Sequence, residues 1–253
     1  MALSDRAAVE FFHLVFLRAL VGKGQDKSLF ALKGGCNLRF YFGSVRYSED
    51  IDLDVTVVAR ATLQSKVDRL LASPLVGAPL RAQGLELTDL SAPKPTETTQ
   101  RWKVGLRVLA RSLELRTKIE FSRRGAVTGS QFEAVPPAIL RPYALTPFLA
   151  THYSAQTAAI QKIEALAGRA EPQARDVFDL NLLLARVGDD GGIRKASKPR
   201  LAAAMEHALE ISYDQYAAQV VAYLDPDQRE LYESRDAWNA MQDAIVSALE
   251  AAQ

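Results

Sequence analysis

The chain has 253 residues, of which 31 are basic and 30 acidic, and its formal net charge is +1. This balance argues against a strongly basic nucleic-acid-binding protein, and a hydrophobic content of 48% excludes an intrinsically disordered chain. Apolar runs are short and interrupted by charges, so we expect no transmembrane segment and no signal peptide. The single cysteine, Cys36, cannot form an internal disulfide, which favours a cytoplasmic protein.

The first part of the chain mixes helical and strand-like periodicities, which predicts an α/β lobe over residues 1–145. Apolar residues at helical spacing predict helices over residues 5–21, 37–42 and 61–72. Short apolar or alternating runs predict strands over residues 28–32, 50–58, 85–90, 102–109 and 113–121. The last two strands are predicted to be antiparallel neighbours.

The character of the chain changes after Pro136, Pro137 and Pro142, where segments rich in Ala and Leu follow one another. Their spacing predicts helices over residues 150–167, 172–186, 198–210, 213–224 and 228–251. We therefore expect a second, all-helical lobe over residues 146–253.

The most informative pattern is a row of acidic residues on the strand predicted over residues 50–58. Asp50, Asp52 and Asp54 alternate with apolar residues and therefore share one face of that strand. Carboxylates so arranged repel one another, and aspartate is uncommon in strands. A divalent cation, Mg²⁺ or Mn²⁺, would neutralise them through oxygen ligands. Glu120, on the polar face of the strand over residues 113–121, is a candidate third ligand.

Each of these acidic residues also has an alternative interpretation. The aspartates also suit the solvent-facing side of an edge strand, although metal binding is the favoured interpretation, and Glu120 belongs to a Glu/Lys alternation that is common on wet sheet faces. In the helical lobe, Arg175 and Asp179 are four residues apart, which favours an intrahelical ion pair.

Two blocks of sequence, in this order, resemble the AbiEii/AbiGii-type nucleotidyltransferase toxins. Residues 32–39 read Leu-Lys-Gly-Gly-Cys-Asn-Leu-Arg, and residues 46–54 read Arg-Tyr-Ser-Glu-Asp-Ile-Asp-Leu-Asp. Residues 161–166 read Gln-Lys-Ile-Glu-Ala-Leu, and residues 175–180 read Arg-Asp-Val-Phe-Asp-Leu. With the strand that holds Lys118 and Glu120 between them, the resemblance covers about residues 32–180. These toxins are bacterial proteins of the DNA polymerase β-like nucleotidyltransferase superfamily and occur beside a cognate antitoxin.

The resemblance implies an α+β fold, in which a polymerase β-like nucleotidyltransferase lobe with a small mixed sheet is followed by an all-helical lobe. It also implies site residues. Metal binding is expected of Asp50 and Asp52, joined by Glu120, and catalytic roles of Asp50, Asp52, Lys162 and Asp176. Nucleotide binding is expected of Lys33, Gly34, Gly35, Arg46, Ser48 and Lys162. Gly34 and Gly35 would let the backbone of a helix start approach the triphosphate. One departure is that Cys36 stands where the family often has threonine.

By the same resemblance, the expected reaction transfers a nucleoside monophosphate from a nucleoside triphosphate to RNA, with the tRNA 3′ end as acceptor, and inhibits growth. Three alternatives share this fold. They are a nucleotidyltransferase that modifies a small molecule such as an antibiotic, a nucleotide-binding protein without catalysis, and a phosphotransferase that modifies a protein serine.

Overall fold

A computed structural model of the protein describes residues 3–22, 29–111, 113–123, 127–187 and 192–253. The chain forms two compact units. Unit 1 consists of Met1–Tyr41 and Tyr47–Tyr153, and unit 2 of Phe42–Arg46 and Ser154–Gln253. The change of unit thus falls after Tyr153 rather than at the predicted residue 145, and a short earlier segment belongs to the second unit.

Unit 1 contains a mixed β-sheet with helices. Its helices are α1 (Asp5–Val21), α2 (Gly34–Phe42, whose last residue is counted with unit 2), α3 (Arg60–Leu71), α4 (Pro74–Ala82) and α5 (Pro137–Leu140). Its strands are β1 (Phe30–Lys33), β2 (Ile51–Val55), β3 (Leu85–Ser91), β4 (Thr99–Val108), β5 (Leu113–Ser122), β6 (Ser130–Ala134) and β7 (Leu149–Tyr153). Residue 28, the predicted start of the first strand, lies outside the described residues.

The strands lie in the order β3-β4-β5-β2-β1-β7-β6. Strand β2 runs antiparallel to β1 and parallel to β5, and β1 runs parallel to β7. The predicted antiparallel pairing of β4 with β5 is confirmed over their full lengths. Both edges of β2 are therefore paired, so the strand that holds the aspartate row is internal and not an edge strand.

Helix α1 supplies much of the core of unit 1. It begins after Ser4, whose hydroxyl accepts a hydrogen bond from the backbone N–H of Ala7 at 3.3 Å, the usual way to satisfy a helix start. Phe12, Phe16 and Leu20 are completely buried. These three residues are four apart and share one side of the helix, but residues 8–17 are buried without interruption, so α1 is enclosed on all sides over most of its length.

Unit 2 is helical in its described residues. Its helices are α6 (Ala155–Gly168), α7 (Ala174–Val187), α8 (Lys198–Glu210), α9 (Tyr213–Gln219), α10 (Pro226–Tyr232) and α11 (Arg235–Ala251), with 3₁₀ turns at Gly192–Lys195 and Val221–Tyr223. Helix α6 packs against α7 and α8, and α11 packs against α7 and α8. The predicted α+β class, with a mixed sheet followed by helices, is confirmed.

Several predicted element boundaries are wrong: the strand predicted over 50–58 is β2 (Ile51–Val55), and the helix predicted over 213–224 is α9 (Tyr213–Gln219) followed by a 3₁₀ turn. Three further differences have a local reason. Residues 150–153 belong to strand β7 because Ser154 caps α6, its hydroxyl accepting from the N–H of Thr157. The helix predicted over 228–251 is two helices, since Ser234 caps α11 in the same way. Helix α2 begins directly at Gly34, because this glycine, at φ +66°, turns the chain out of β1 without a separate loop.

Among the described residues, no helix is both long enough and apolar enough to cross a membrane.

Candidate functional site

Two of the three aspartates, Asp52 and Asp54, lie on one face of the sheet, as their spacing of two predicts, whereas Asp50 precedes β2. Along β2, Ile51, Leu53 and Val55 are buried, whereas Asp52 and Asp54 are only partly buried. In the parallel pairing with β5, Asp52 lies opposite Glu120. Residues opposite each other in a sheet point to the same side, so the carboxylates of Asp52 and Glu120 share a face of the sheet.

Basic side chains of the same unit neutralise most of this row. The Lys118 ammonium lies 2.8 Å from Asp50, the Arg101 guanidinium 2.5 Å from Glu120, and the Lys33 ammonium 2.6 Å from Asp54. These acids therefore have counter-charges within the protein, and their mutual repulsion does not by itself require a metal ion. Sequence periodicity did not reveal these partners because the pairs join different strands.

The pairs made by Asp50 and Glu120 are nevertheless weak ones. The side chains of Lys118 and Arg101 are each half exposed, and exposed ion pairs contribute about 0–1 kcal/mol. A hydrogen bond from Lys118 to Asp50 raises the pKa of the lysine above its ordinary value, so the lysine is charged at neutral pH. Asp54 differs, because the Tyr153 hydroxyl also donates to it at 2.6 Å. Asp50 and Glu120 can therefore exchange their partners at lower cost than Asp54 can.

Gly34 lies directly against the Asp52 carboxylate. A Cβ atom at Gly34 would come within 2.6 Å of Asp52 Oδ2, closer than such atoms approach in folded proteins. The start of α2 thus faces Asp52, and the missing side chain makes that approach possible. Gly35, the other predicted glycine, is the second residue of α2 and is partly buried.

The segment that precedes β2 is held by side-chain hydrogen bonds to its backbone. The Ser48 hydroxyl donates to the Asp50 carbonyl at 2.8 Å, and the Thr117 hydroxyl donates to the Glu49 carbonyl at 2.7 Å. Ser48 is predicted to contact a phosphate, but its hydroxyl here donates to a backbone carbonyl of its own loop. It orders the backbone on which Asp50 is carried.

The donor set suits a divalent cation by its chemistry. Asp52 on β2, Glu120 on β5 and Asp50 directly before β2 offer hard carboxylate oxygens, the type of ligand that Mg²⁺ takes. As the side chains stand, no three His, Cys, Asp or Glu residues within the described ranges are grouped closely enough to hold a metal ion. Binding would therefore require Lys118 and Arg101 to release Asp50 and Glu120.

Unit 2 holds a second charged cluster, which is buried. Asp176 and Asp179 on α7 have fully buried side chains. The Lys162 ammonium on α6 lies 2.9 Å from Asp176 and 2.6 Å from Asp179. The Arg46 guanidinium lies 2.8 Å from Asp179, and that of Arg169 lies 2.7 Å from Asp176. Three cations thus share two carboxylates, and we call these five residues the buried charge network.

Two residues predicted to bind nucleotide, Arg46 and Lys162, belong to this network. Arg46 and Lys162 are both largely buried, and their cationic groups contact aspartates of their own unit. The intrahelical pair considered for Arg175 and Asp179 is wrong, since Asp179 pairs with Arg46 and Lys162. The spacing of three between Asp176 and Asp179, which places both on one side of α7, was the available signal for a shared partner.

Opposing electrostatic effects set the ionisation of this network. Burial by itself would raise the pKa of Asp179, but the Arg46 and Lys162 charges outweigh it and hold that pKa below its usual value. Burial by itself would lower the pKa of Lys162, but the Asp179 and Asp176 carboxylates outweigh it and raise that pKa. Both groups are therefore charged at neutral pH.

Comparison with protein families gives one match that spans nearly the whole chain. Residues 15–253 match the family described as nucleotidyl transferase AbiEii toxin, type IV TA system. No curated protein sequence matches the chain.

Solved structures with the same fold include two from Helicobacter pylori. JHP933 is 17% identical, with a TM-score of 0.57, and the alignment covers 99% of this chain and 96% of that one. A protein described as a candidate nucleotidyltransferase is 18% identical, with a TM-score of 0.59, and 99% of each chain is covered. At this identity the likeness establishes the fold alone.

Proposed function

The chain belongs to the AbiEii family of nucleotidyl transferase toxins of type IV toxin–antitoxin systems, and from that premise we propose that it transfers a nucleoside monophosphate to RNA. The donor is a nucleoside triphosphate, the acceptor is the 3′ end of tRNA, and pyrophosphate leaves. The family implies a cognate antitoxin as partner. The proposed place of action is the cytoplasm, where both substrates occur.

One observation supports the proposal most directly. Asp52 and Glu120 lie in register on adjacent parallel strands, and Gly34 at the start of α2 lies against Asp52. Carboxylates beside a helix start bring together an oxygen donor set for a cation and backbone N–H groups that favour phosphate. A nucleoside triphosphate carried by a divalent cation needs both.

Asp50, Asp52 and Glu120 are the residues that would hold Mg²⁺ or Mn²⁺. Such a cation would neutralise charge on the triphosphate and on the departing pyrophosphate. Lys118 and Arg101, released from Asp50 and Glu120, would remain on the same sheet as positive charges beside the phosphates. In the absence of nucleotide they keep the carboxylates paired, which avoids like-charge repulsion.

The buried charge network is assigned a supporting role. Lys162 and Asp176 contact each other, and Asp176 is fully buried, so this pair stabilises the packing of α6 on α7. A direct contact of Lys162 or Arg46 with phosphate, and a catalytic role of Asp176, stay predictions.

The proposal is tested by following the α-phosphate. The protein is incubated with Mg²⁺, total RNA and each α-labelled nucleoside triphosphate in turn, and label is expected in RNA of tRNA size. Asp50→Ala should abolish labelling while remaining folded, because the pair that it removes is an exposed one. Asp89→Ala is the matched control, since Asp89 lies 3.5 Å from Arg116 in another exposed pair of unit 1 and should leave labelling unchanged.

Other results would contradict the proposal in recognisable ways. Full labelling by Asp50→Ala would remove the carboxylate assignment. Label in small molecules but not in RNA would indicate a different acceptor, and transfer of the γ-phosphate to protein would indicate a phosphotransferase. Stabilisation by nucleotide without pyrophosphate release would indicate a binding protein.

A further inference from the structure

Three buried polar side chains meet beneath the segment that carries Asp50. His13 comes from α1, Cys36 from α2 and Thr117 from β5, and each is at most 3% exposed. His13 Nε2 lies 2.7 Å from Thr117 Oγ1, and Cys36 Sγ lies 3.4 Å from His13 Nδ1. They lie within the mainly apolar interior of unit 1, where buried polar groups are costly unless they are hydrogen-bonded.

The protons in this series of hydrogen bonds can be assigned in order. Thr117 has one hydroxyl proton, which it donates to the Glu49 carbonyl, so its oxygen accepts from His13 Nε2–H. His13 Nδ1 then has no proton and is an acceptor. Burial lowers the pKa of His13 to about 3, so the ring is neutral at physiological pH, as this assignment requires. The hydroxyl and ring protons therefore each have one direction, whereas the single thiol proton of Cys36 has two acceptors within reach, His13 Nδ1 and the Asp50 carbonyl.

This series of hydrogen bonds ends at the backbone carbonyls of the two residues that precede β2. Thr117 reaches the Glu49 carbonyl, and the Cys36 thiol lies 3.3 Å from the Asp50 carbonyl, which also accepts from Ser48. The thiol at position 36 thus contacts the backbone beneath the carboxylate. Hydrogen bonds and contacts that orient a metal-ligating residue are worth about 10–100-fold in metal affinity or activity.

We propose that His13, Cys36 and Thr117 are positioning residues, which fix the Glu49 and Asp50 carbonyls and thereby set where the Asp50 and Asp52 carboxylates lie. This inference rests on the proposed function, because it assigns these carboxylates to the transfer site. A merely structural chain of hydrogen bonds would affect stability alone.

Thr117→Val tests the proposal, since it deletes the hydroxyl and keeps the branched shape that suits a strand. We expect kcat to fall about 10–100-fold, with a parallel loss of affinity for Mn²⁺ alone, measured by electron paramagnetic resonance. Thr117→Ser restores the hydroxyl and should restore both values to within about threefold of wild type, a small loss on the scale of such interactions.

Val76→Ala, which leaves a cavity at the buried face of α4, is the matched stability control. Val76 is completely buried. Its truncation should lower thermal stability and leave kcat and Mn²⁺ affinity unchanged, which separates positioning from stability.

The outcomes are distinguishable from failure of the proposed function. A folded Thr117→Val with wild-type kcat and wild-type Mn²⁺ affinity overturns the positioning role. An inactive wild-type protein overturns the proposed function, and the Mn²⁺ measurement still decides the positioning role. If Thr117→Val does not fold, Cys36→Ala takes its place. It should shift both values in the same direction, and unchanged values would overturn the proposal.

Discussion

At the scale of single residues, Gly34 shows how an absent side chain determines a site. Its φ of +66° is unfavourable for residues with a side chain, and a Cβ atom there would meet Asp52 Oδ2 at 2.6 Å. Gly84 has nearly the same φ, +71°, but within the described part of the structure no atom lies within 4 Å of the position that a Cβ would occupy. The two glycines therefore share a backbone requirement and differ only in what lies next to them.

We predict that Gly34→Ala abolishes nucleotide transfer, whereas Gly84→Ala does not. In both substitutions the left-handed backbone of an L-residue should lower the free energy of unfolding by about 1–2 kcal/mol, and the contact with Asp52 adds a further loss for Gly34→Ala. Only Gly34→Ala displaces the Asp52 carboxylate. Urea unfolding and the RNA-labelling assay, run on both variants, check this. Equal activities of the two variants would contradict a role for the close approach.

At the scale of elements, helices α6 and α7 are joined by charge as well as by apolar packing. Val177, Leu180 and Leu183 form the apolar stripe of α7, and Asp176 and Asp179 are buried beside it. Removing one member of a buried ion pair leaves another charge without compensation, which typically costs about 3–5 kcal/mol. The loss is larger than for an exposed pair because solvent cannot replace the missing partner.

We therefore predict that Asp179→Asn lowers the free energy of unfolding by about 3–5 kcal/mol, because Arg46 and Lys162 both lose the charge of a carboxylate that they contact. Asp243→Asn, on the exposed side of α11, is the control and should change it by less than about 0.5 kcal/mol. Urea midpoints of the two variants provide the measurement. A loss below about 1 kcal/mol for Asp179→Asn would show that the network contributes little.

The sequence predicted those features that depend on local periodicity. The alternation of Asp52 and Asp54 with apolar residues on β2, the β4–β5 pairing and most helices follow from spacing within one segment. Helix α4 was missed because Pro74, Gly77 and Pro79 give it poor intrinsic helix propensity. The partners of Asp50 and Asp179 were missed because Lys118 and Arg46 are far away in the chain, and spacing carries no information on such contacts.

At the scale of the whole molecule, buried ionisable groups make the fold sensitive to acid. In the unfolded chain His13 becomes protonated below its ordinary pKa of 6.5, whereas in the folded protein it stays neutral down to about pH 3. Stability is therefore present above pH 6.5 and is lost as the pH falls below it. Burial also lowers the pKa of His152, which adds in the same direction. Despite burial, the Arg46 and Lys162 charges hold the pKa of Asp179 below its ordinary 3.8, so its protonation lowers the stability only at still lower pH.

We predict that the free energy of unfolding falls by about 2 kcal/mol between pH 6.5 and pH 5 through His13 alone, since each pH unit costs about 1.4 kcal/mol. His13→Gln should be less stable at pH 7 but should show a smaller loss over the same interval. Urea unfolding of both proteins at the two pH values is the measurement. An equal pH dependence would mean that His13 is not the group that titrates.

The discontinuity of unit 2 limits how this protein can be divided for reconstitution. A polypeptide cut after Tyr153 would keep Asp179 in the carboxy-terminal fragment and leave Arg46 behind in the other. An isolated fragment of residues 154–253 would thus carry a buried carboxylate that has lost one of its two cations. A split-protein design would need to graft Phe42–Arg46 onto the helical fragment, so that Asp179 keeps both of its cations.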